Sequence, residues 1–222
     1  FNNIAPYYDF LNHFLSLGID KNWRKKAIKE LQKVQPTQIL DVATGTADVA
    51  IAMAKQLQPK KVIGLDIAVE MLDIGRKKVR NETLTDTVEL ISGDAENLPF
   101  ESNTFDAVTV AFGVRNFENL EAGMNEIQRV LKPNGKLVVL EFSKPQVFPL
   151  KQGFQFYFKN ILPFIGKITS KDPKAYRYLY ESVQAFPDGK DFIKVMDKTG
   201  FTQNQQTPLT FGISSIYTGL KS

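Results

Sequence analysis

Five short apolar runs, separated by segments with helical periodicity, constrain the fold of this chain more than any other feature. The runs have the length of buried strands, and they are Gln38–Val42, Lys61–Asp66, Val88–Ser92, Phe105–Ala111 and Lys136–Phe142. Between the first two runs, apolar residues recur at i, i+3, i+4 and i+7, and they are Ala50, Met53, Ala54 and Leu57. Strands and helices that alternate in this way predict a parallel sheet of the α/β class.

Two stretches of the chain depart from this alternation. The first is an N-terminal helical arm, residues 1–35, in which a helix is predicted from Lys21 to about Leu31. The second is an insertion over about residues 143–187, where aromatic residues alternate with lysines. The regular pattern is therefore expected to end at Phe142.

The C-terminal part of the chain predicts a different ending for the sheet. A helix is expected over Gly189–Lys198, and a closing hairpin is expected from Phe201–Leu209 and Gly212–Leu220. At 222 residues and 43% hydrophobic, the chain is long enough for one α/β domain with a full core. We therefore predict a single domain, residues 1–222, with a mostly parallel Rossmann-like sheet and an antiparallel C-terminal hairpin strand.

Composition removes several classes of chemistry. The chain has no cysteine, which excludes disulfides, thiolate catalysis and cysteine-ligated metals. It has one histidine, His13, so a site with two imidazole ligands is excluded, and no metal is expected. The net charge of +4 arises from 28 basic and 24 acidic residues without a dense basic tract, so no nucleic-acid partner is expected.

The loop after the first predicted strand has the character of a cofactor site. Backbone reverses direction at Gly45, where the absent Cβ lets a ligand come close, and a helix is expected to start near Ala47. A dinucleotide site would require three glycines in a G-x-G-x-x-G pattern, and this loop has one. Asp41 and Asp48 would repel phosphates and suit a cofactor with cationic amine and sulfonium groups. These residues favour S-adenosylmethionine.

Two further acidic residues follow the next strands. Asp66 ends the second strand, about 20 residues after the glycine turn, where a carboxylate can accept hydrogen bonds from both hydroxyls of a ribose. The alternative for Asp66 is an ordinary helix N-cap. After the third strand, Asp94 can accept the exocyclic amine of adenine while the N–H of Ala95 meets a ring nitrogen, and the alternative is a simple turn capped by Asp94.

Several motifs resemble those of a known family. Four of them are similar to the successive motifs of class I S-adenosylmethionine-dependent methyltransferases, and they are Asp41–Asp48, Gly64–Leu72, Gly93–Phe100 and Phe112–Phe117. A narrower resemblance, to the menaquinone/ubiquinone C-methyltransferase family, extends to Tyr8–Asn12, Leu15–Arg24, Leu131–Pro145 and Tyr178–Pro187. The resemblance covers nearly the whole chain, and Gly-Val-Arg-Asn and Glu-Ser-Val-x-x-Phe-Pro are its most restrictive parts.

The resemblance implies methyl transfer to a ring carbon of a polyprenylated quinol, giving menaquinol from demethylmenaquinol. A ubiquinone-precursor benzoquinol, or another apolar small molecule, is the alternative substrate, and a nicotinamide oxidoreductase is a more distant alternative. By family position, Thr46, Asp66, Asp94 and Ala95 would bind the cofactor, and Ile67 together with the loop residues Asp41 and Gly45 completes the predicted cofactor site.

The predicted chemistry requires positioning and help with one proton. A quinol hydroxyl has a pKa of about 10, like that of tyrosine, and its deprotonation activates the adjacent ring carbon. Arg115 is the candidate to stabilise the phenolate or to hold a water that accepts the proton, and Asn116 is the candidate to orient a quinol oxygen. The alternative for Arg115 is an ion pair with a structural carboxylate. Tyr8 would belong to a lid over the site or to an N-terminal surface helix.

The aromatic insertion has two interpretations. It can provide a channel for the prenyl tail, with Phe154 and Tyr157 as substrate contacts, and lie on a membrane through its lysines. It can instead form a lid or core helix with solvated lysines. The expected location is the cytoplasm, with peripheral contact at the inner face of the membrane as the first interpretation requires. Oligomeric state stays open, with a homodimer through the C-terminal half as one arrangement.

Overall fold

The computed structural model describes residues 18–145, 148–149, 152–153 and 173–222, except the side chains of residues 173–177. Within them a seven-stranded sheet has the order β3-β2-β1-β4-β5-β7-β6. The strands are β1 (Gln38–Val42), β2 (Lys61–Asp66), β3 (Val88–Ser92), β4 (Phe105–Ala111), β5 (Leu131–Phe142), β6 (Phe201–Leu209) and β7 (Ser214–Lys221). The helices are α1 (Asp20–Gln32), α2 (Asp48–Leu57), α3 (Val69–Asn81), α4 (Leu120–Val130), α5 (Pro173–Ala185) and α6 (Lys190–Lys198).

The sheet confirms the predicted class and its mixed character. Strands β1 to β5 are parallel, whereas β7 is antiparallel to both β5 and β6. Central strand β1 contributes Ile39, Leu40 and Val42, all 0% exposed, because helices cover both faces of the sheet. The carboxyl ends of the five parallel strands therefore meet at one edge, which we call the carboxyl edge.

The largest differences from the predicted elements concern β5 and α5. Strand β5 begins at Leu131 rather than Lys136, because the chain already pairs with β4 at Phe105 before an irregularity in register. Helix α5 lies within the predicted insertion, for which a helix was one of two interpretations and no helix bounds were predicted. Its described part buries Leu179 and Val183, which are four residues apart and pack against the sheet core.

Helix α1 runs antiparallel to the parallel strands. Near its start, Trp23 is buried against Phe112 and donates from Nε1 to Thr210 Oγ1 at 2.8 Å. Near its end, the Glu30 carbonyl accepts from Lys136 Nζ at 3.0 Å, at the opposite edge of the sheet. The first turn of α1 therefore lies at the carboxyl edge, next to the 3₁₀ turn Thr210–Gly212 between β6 and β7.

Asp106, at the amino end of β4, joins three segments of the sheet. Its carboxylate accepts from the backbone N–H groups of Thr37 and Gln38, from Thr37 Oγ1 and from Lys132 Nζ, at 2.6 to 2.9 Å. Burial alone would raise the pKa of Asp106, but the hydrogen bonds from Lys132, Thr37 and Gln38 outweigh it and hold the pKa well below its usual range. The ionised carboxylate therefore stabilises the folded state.

We expect Asp106→Asn to lower the free energy of unfolding at pH 7 by about 2 kcal/mol. Because the folded pKa is depressed, this stabilisation is complete above the unfolded pKa of about 3.9 and is lost as the pH falls towards the folded value. Urea unfolding at pH 7 and pH 3 measures both effects, and the difference between wild type and variant should shrink at pH 3. Glu89→Gln, which removes an exposed pair with Lys61, is the control. A constant difference at both pH values would contradict this account.

Candidate functional site

A cavity of about 290 Å³ opens at the carboxyl edge. It is lined by the ends of β1, β2 and β4, by the loop after β3 and by the first turns of α2 and α3. The predicted site residues that line it are Asp41, Gly45, Thr46, Asp66, Ile67, Asp94, Ala95 and Asn116. The fold thus brings together residues from four separate stretches of the sequence.

The loop from β1 to α2 is held in an uncommon backbone conformation. Ala43, Gly45 and Ala47 have φ values of 55°, 57° and 66°, in the left-handed region that side chains disfavour. A Cβ on Gly45 would also lie 3.1 Å from Met71 Cε, so glycine is favoured there for two reasons. Strain of this kind persists where surrounding structure imposes it, and it concentrates at ligand sites.

Asp66 connects this loop to the next helix. Its Oδ2 accepts from the Gly45 N–H at 2.8 Å, and its Oδ1 accepts from the Ala68 N–H at 2.8 Å, just before α3. The bond to Ala68 corresponds to the cap-like alternative. A carboxylate has about four acceptor positions, so one carboxylate can accept from backbone N–H groups and from ligand hydroxyls together. Contact of Asp66 with a ribose therefore stays a prediction that this geometry permits.

Asp41, near the end of β1, connects the loop to strand β4. Its two carboxylate oxygens accept from Thr44 Oγ1 at 2.7 Å and from Thr109 Oγ1 at 2.6 Å, and the residue is 1% exposed. Burial raises the pKa of Asp41 to about 6, although the two hydroxyl donors and the charge of Arg24 act in the opposite direction. Asp41 thus contributes a negative charge near the cavity at neutral pH.

The charge of Asp48 is offset by two cations, which the sequence pattern did not reveal. Its carboxylate lies 3.2 Å from Arg24 Nη1 and 2.7 Å from Lys78 Nζ. Lys78 Nζ also donates to Thr46 Oγ1 at 2.6 Å. The expected repulsion of phosphates by Asp48 is therefore weakened, and Asp48 serves to hold Arg24 and Lys78 against the start of α2.

The outer rim of the cavity carries Asp94, Ala95 and Ile67. Asp94 is exposed, and its Oδ1 accepts from the Glu96 N–H at 2.9 Å, which is the capped turn that formed the alternative for this residue. Ile67 is 65% exposed, an unusual exposure for a branched apolar side chain, and it lines the cavity beside Asp66. The rim thus combines an apolar platform with a carboxylate, which suits a flat polar ring.

Arg115 lies in the arrangement that formed its alternative, a buried ion pair. Its Nη1 is 2.7 Å from Glu141 Oε1 and donates to the Phe112 carbonyl at 2.6 Å, and the guanidinium lies 5.5 Å from the Phe142 ring. The side chains of Arg115 and Glu141 are 1% and 0% exposed. Burial raises the pKa of Glu141, and the charge of Arg115 opposes this shift. In this state the guanidinium faces Glu141, so direct contact with a substrate oxygen would require the pair to open.

Asn116, the next residue, does line the cavity. Its Oδ1 accepts from the hydroxyl of Tyr178 in α5 at 3.0 Å. An amide whose oxygen is held by a donor presents its Nδ2 as a donor to other groups. The hydroxyl of Tyr178 therefore orients the Asn116 amide, with its Oδ1 towards α5.

Two residues of this region were missed by the sequence reasoning. Glu141 carried a signal, because it is an acidic residue at the end of an otherwise apolar strand. Tyr178 opened one of the family-like motifs but had no assigned role.

Other predicted residues lie outside the described part of the chain. They are Tyr8, His13, Phe154 and Tyr157. Most of the aromatic insertion is also outside it, so its two interpretations both stay open. Among the residues that the structure describes, no helix is long and apolar enough to cross a bilayer.

Solved structures share this fold. A methyltransferase from Thermotoga maritima, described as S-adenosylmethionine-dependent and as a possible histamine N-methyltransferase, superposes with a TM-score of 0.69 over 99% of this chain and 98% of its own, at 19% identity. A phosphoethanolamine N-methyltransferase from Haemonchus contortus, solved with S-adenosyl-L-methionine, gives a TM-score of 0.64 over 89% of this chain and 52% of its own, at 15% identity. The sheet and the cavity at its carboxyl edge have the architecture of an S-adenosylmethionine-dependent methyltransferase of class I.

Sequence relatives narrow this class. Residues 1–221 match the ubiE/COQ5 methyltransferase family, and the chain belongs to that family. A demethylmenaquinone methyltransferase from Bacteroides fragilis is 50% identical over 221 residues, which cover 100% of this chain and 90% of the relative. A ubiquinone/menaquinone biosynthesis C-methyltransferase from Geotalea daltonii is 42% identical over 222 residues, which cover 100% of this chain and 94% of the relative.

The cavity fits the cofactor of this class, S-adenosylmethionine. Asp66 places a carboxylate in the cavity wall, Ile67 offers an apolar platform, and Asp41 offers a buried negative charge for a cationic ligand. A pyrophosphate cradle is absent from the residues around the described cavity, because Gly45 stands alone in its loop.

Proposed function

We propose that this enzyme methylates a ring carbon of a polyprenylated quinol, with demethylmenaquinol as its preferred substrate. The observation that carries the proposal is the meeting of the glycine loop, Asp66 and Asn116 around one cavity. Relatives named demethylmenaquinone methyltransferase, at 50% and 43% identity over the full chain, favour the naphthoquinol over the benzoquinol. Apolar side chains of Phe112 and Phe117 line the same cavity and suit an aromatic ring.

The cofactor-binding roles in this proposal follow the cavity wall. Asp66 accepts the ribose hydroxyls, Ile67 packs against the adenine, and Asp94 with Ala95 recognises its edge. Thr46 and Gly45 hold the methionine part near the start of α2, and Asp41 offsets its positive charge. When bound, S-adenosylmethionine supplies an electrophilic methyl group.

The substrate-side roles fall to the turn after β4. Asn116 donates from Nδ2 to a quinol oxygen, and this hydrogen bond strengthens as the hydroxyl loses its proton to a solvent water, because a charged acceptor binds a donor more tightly. Tyr178 orients the amide through its bond to Asn116 Oδ1. Arg115 and Glu141 act as positioning residues that hold the turn. Tyr8, Phe154 and Tyr157 are assigned to the lid and to the prenyl tail.

Methyl incorporation from labelled S-adenosylmethionine tests the proposal. Reduced demethylmenaquinol and the reduced demethylated ubiquinone precursor are supplied side by side in detergent. We expect label on the naphthoquinol and at least tenfold less on the benzoquinol. Label on the benzoquinol alone, or cofactor binding without label on either quinol, would overturn the substrate assignment.

Two variants test the substrate-side roles. Asn116→Ala should lower kcat by about 10² while the Kd for S-adenosylmethionine changes little, because one donor to a developing oxyanion is lost. Tyr178→Phe should lower kcat by about tenfold, since the amide is no longer fixed. Asn22→Ala, at an exposed position of α1, is the control. A normal kcat for Asn116→Ala would remove Asn116 from the proposed chemistry.

Two partner expectations belong to this proposal. A prenylated substrate resides in a bilayer, so the proposed function includes peripheral contact with a membrane. It does not include a nucleic-acid partner. A homodimer through the C-terminal half is the second expectation, and sedimentation velocity of the full chain tests it.

A further inference from the structure

Two phenylalanines stand out on the surface of the described residues. Phe148 and Phe211 are each 77% exposed, more than any other large apolar side chain in the described part of the chain. Aromatic side chains with this exposure are uncommon unless they contact something, since an aromatic ring gains more from burial than most side chains.

Both phenylalanines lie at the carboxyl edge, beside the end of β5. Because Phe142 of β5 pairs with Ser214 of β7, the turn that carries Phe211 lies where β5 ends. The Ser143 N–H donates to the Ile213 carbonyl at 3.0 Å, and a Cβ on Gly212 would lie 3.5 Å from Pro145 Cα. Phe148 follows Pro145 by three residues, a reach of at most about 10 Å.

The turn that presents Phe211 is firmly held. Phe211 has φ 58° and ψ 24°, a left-handed conformation that is unfavourable for a bulky side chain. Its neighbours are anchored, because Trp23 Nε1 donates to Thr210 Oγ1 at 2.8 Å and Ser143 Oγ donates to the Gly212 carbonyl at 2.8 Å. A strained, well-anchored turn that points an aromatic ring into solvent is a feature expected of a functional contact.

Basic side chains are exposed at the same edge of the sheet. The first turns of α1 lie there, because Trp23 contacts Thr210, and they expose Lys21 and Lys25 on the face of the helix opposite Trp23. These two lysines are four residues apart and therefore lie on one face of α1. Neither has an ion-pair partner among the residues that the structure describes. The surface formed by Phe148, Phe211, Lys21 and Lys25 is thus apolar in part and positively charged in part.

We infer that this surface is a docking face for an anionic lipid bilayer. Phe148 and Phe211 insert between acyl chains, while Lys21 and Lys25 contact anionic headgroups. Because the cavity opens at the same edge, a quinol with its tail in the bilayer would reach Asn116 without leaving the lipid. The inference rests on the proposed function, since a water-soluble substrate would give the enzyme no reason to bind lipid.

Cosedimentation of the full chain with vesicles tests the inference. Vesicles of phosphatidylcholine with phosphatidylglycerol are compared with phosphatidylcholine alone. Phe211→Asn removes the ring but retains a residue that tolerates the left-handed conformation, so the turn should keep its shape. The matched control is Val34→Asn, which removes another exposed apolar side chain, 41% exposed, just after α1 at the opposite edge of the sheet.

We expect wild type to bind the anionic vesicles and Phe211→Asn to bind them about tenfold more weakly, with Val34→Asn unchanged. Lys21→Gln and Lys25→Gln should each weaken binding to the anionic vesicles by about fivefold. At 0.5 M salt the difference in binding between wild type and these lysine variants should shrink. Equal binding by wild type and Phe211→Asn would overturn the inference. A loss of self-association in Phe211→Asn, without vesicle binding by wild type, would instead assign this face to a second copy of the chain.

The design separates this inference from the proposed function. Methyl transfer to a quinol dispersed in detergent should be equal in wild type and Phe211→Asn, whereas transfer to a quinol embedded in anionic vesicles should fall about tenfold. Vesicle binding without transfer to any quinol would defeat the proposed substrate and leave the docking face standing. Methyl transfer in detergent without vesicle binding would support the proposed substrate and overturn the docking face.

Discussion

Replacing Asp66 by asparagine is expected to raise the Kd for S-adenosylmethionine by about 10² to 10³. The carboxylate already accepts from two backbone N–H groups, those of Gly45 and Ala68, and in our proposal it also accepts from the ribose. An asparagine keeps one acceptor oxygen and turns an NH₂ group towards one of these donors. Each hydrogen bond to a charged group contributes about 1.5–3 kcal/mol, so the loss of one or two gives an effect of this size.

Isothermal titration calorimetry with the purified variant measures this Kd directly. Asp73→Asn is the matched control, because Asp73 lies on α3 with a 62% exposed side chain and pairs only with Arg76 among the contacts described. The control should bind the cofactor like wild type. A Kd for Asp66→Asn within threefold of wild type would show that Asp66 serves the loop and α3 alone.

The second large effect is expected at the buried ion pair. Arg115→Ala should lower the free energy of unfolding by about 3–5 kcal/mol, because it leaves Glu141 buried without its counter-charge. The double variant Arg115→Met with Glu141→Leu removes both charges and should recover most of the loss. Lys198→Ala, which breaks an exposed pair with Glu121, should cost less than about 1 kcal/mol.

The double variant also separates two roles for Arg115. If Arg115 acts as a positioning residue, the refolded double variant should keep cofactor binding and lose about tenfold in kcat, because the turn that holds Asn116 is less constrained. If Arg115 contacts the substrate oxygen, the loss in kcat should approach that of Asn116→Ala or exceed it. Chemical denaturation and single-turnover methyl transfer are the two measurements. Failure of the double variant to regain stability would contradict the ion-pair account.

Much of the fold could be predicted because its strands are buried on both faces. Such strands appear as uninterrupted apolar runs, so the bounds of β1 and β2 coincide with the predicted ones. The start of β5 was missed because Pro133-Asn-Gly135 resembles a turn, although the chain there already pairs with β4 at Phe105. The bounds of helix α5 could not be predicted, because the apolar spacing of Leu179 and Val183 lies next to a dense aromatic segment without a clear period.

The loops that form the site could be predicted from the sequence, but the side-chain partners of Arg115 and Asn116 could not. A loop after a parallel strand marks the ligand edge of a sheet, which placed Gly45 and Asp66 together. Which carboxylate neutralises Arg115 depends on the register of β4 against β5. A single sequence does not reveal this register. The bond between Tyr178 and Asn116 joins residues 62 positions apart and depends on how α5 packs.

The position of β7 in the sheet has a consequence for the order in which this protein folds. Strand β7 lies between β5 and β6, so β6 leaves the ribosome before the strand that attaches it to the sheet. A nascent chain that ends before Ser214 would carry every described strand of the cofactor edge, but its β6 would have no neighbour. The contact between Lys136 and Leu220 must also close a long loop, which slows the search. We therefore expect the parallel half to form during synthesis and the hairpin to dock last, so that Phe211 takes its place beside β5 only in the final step.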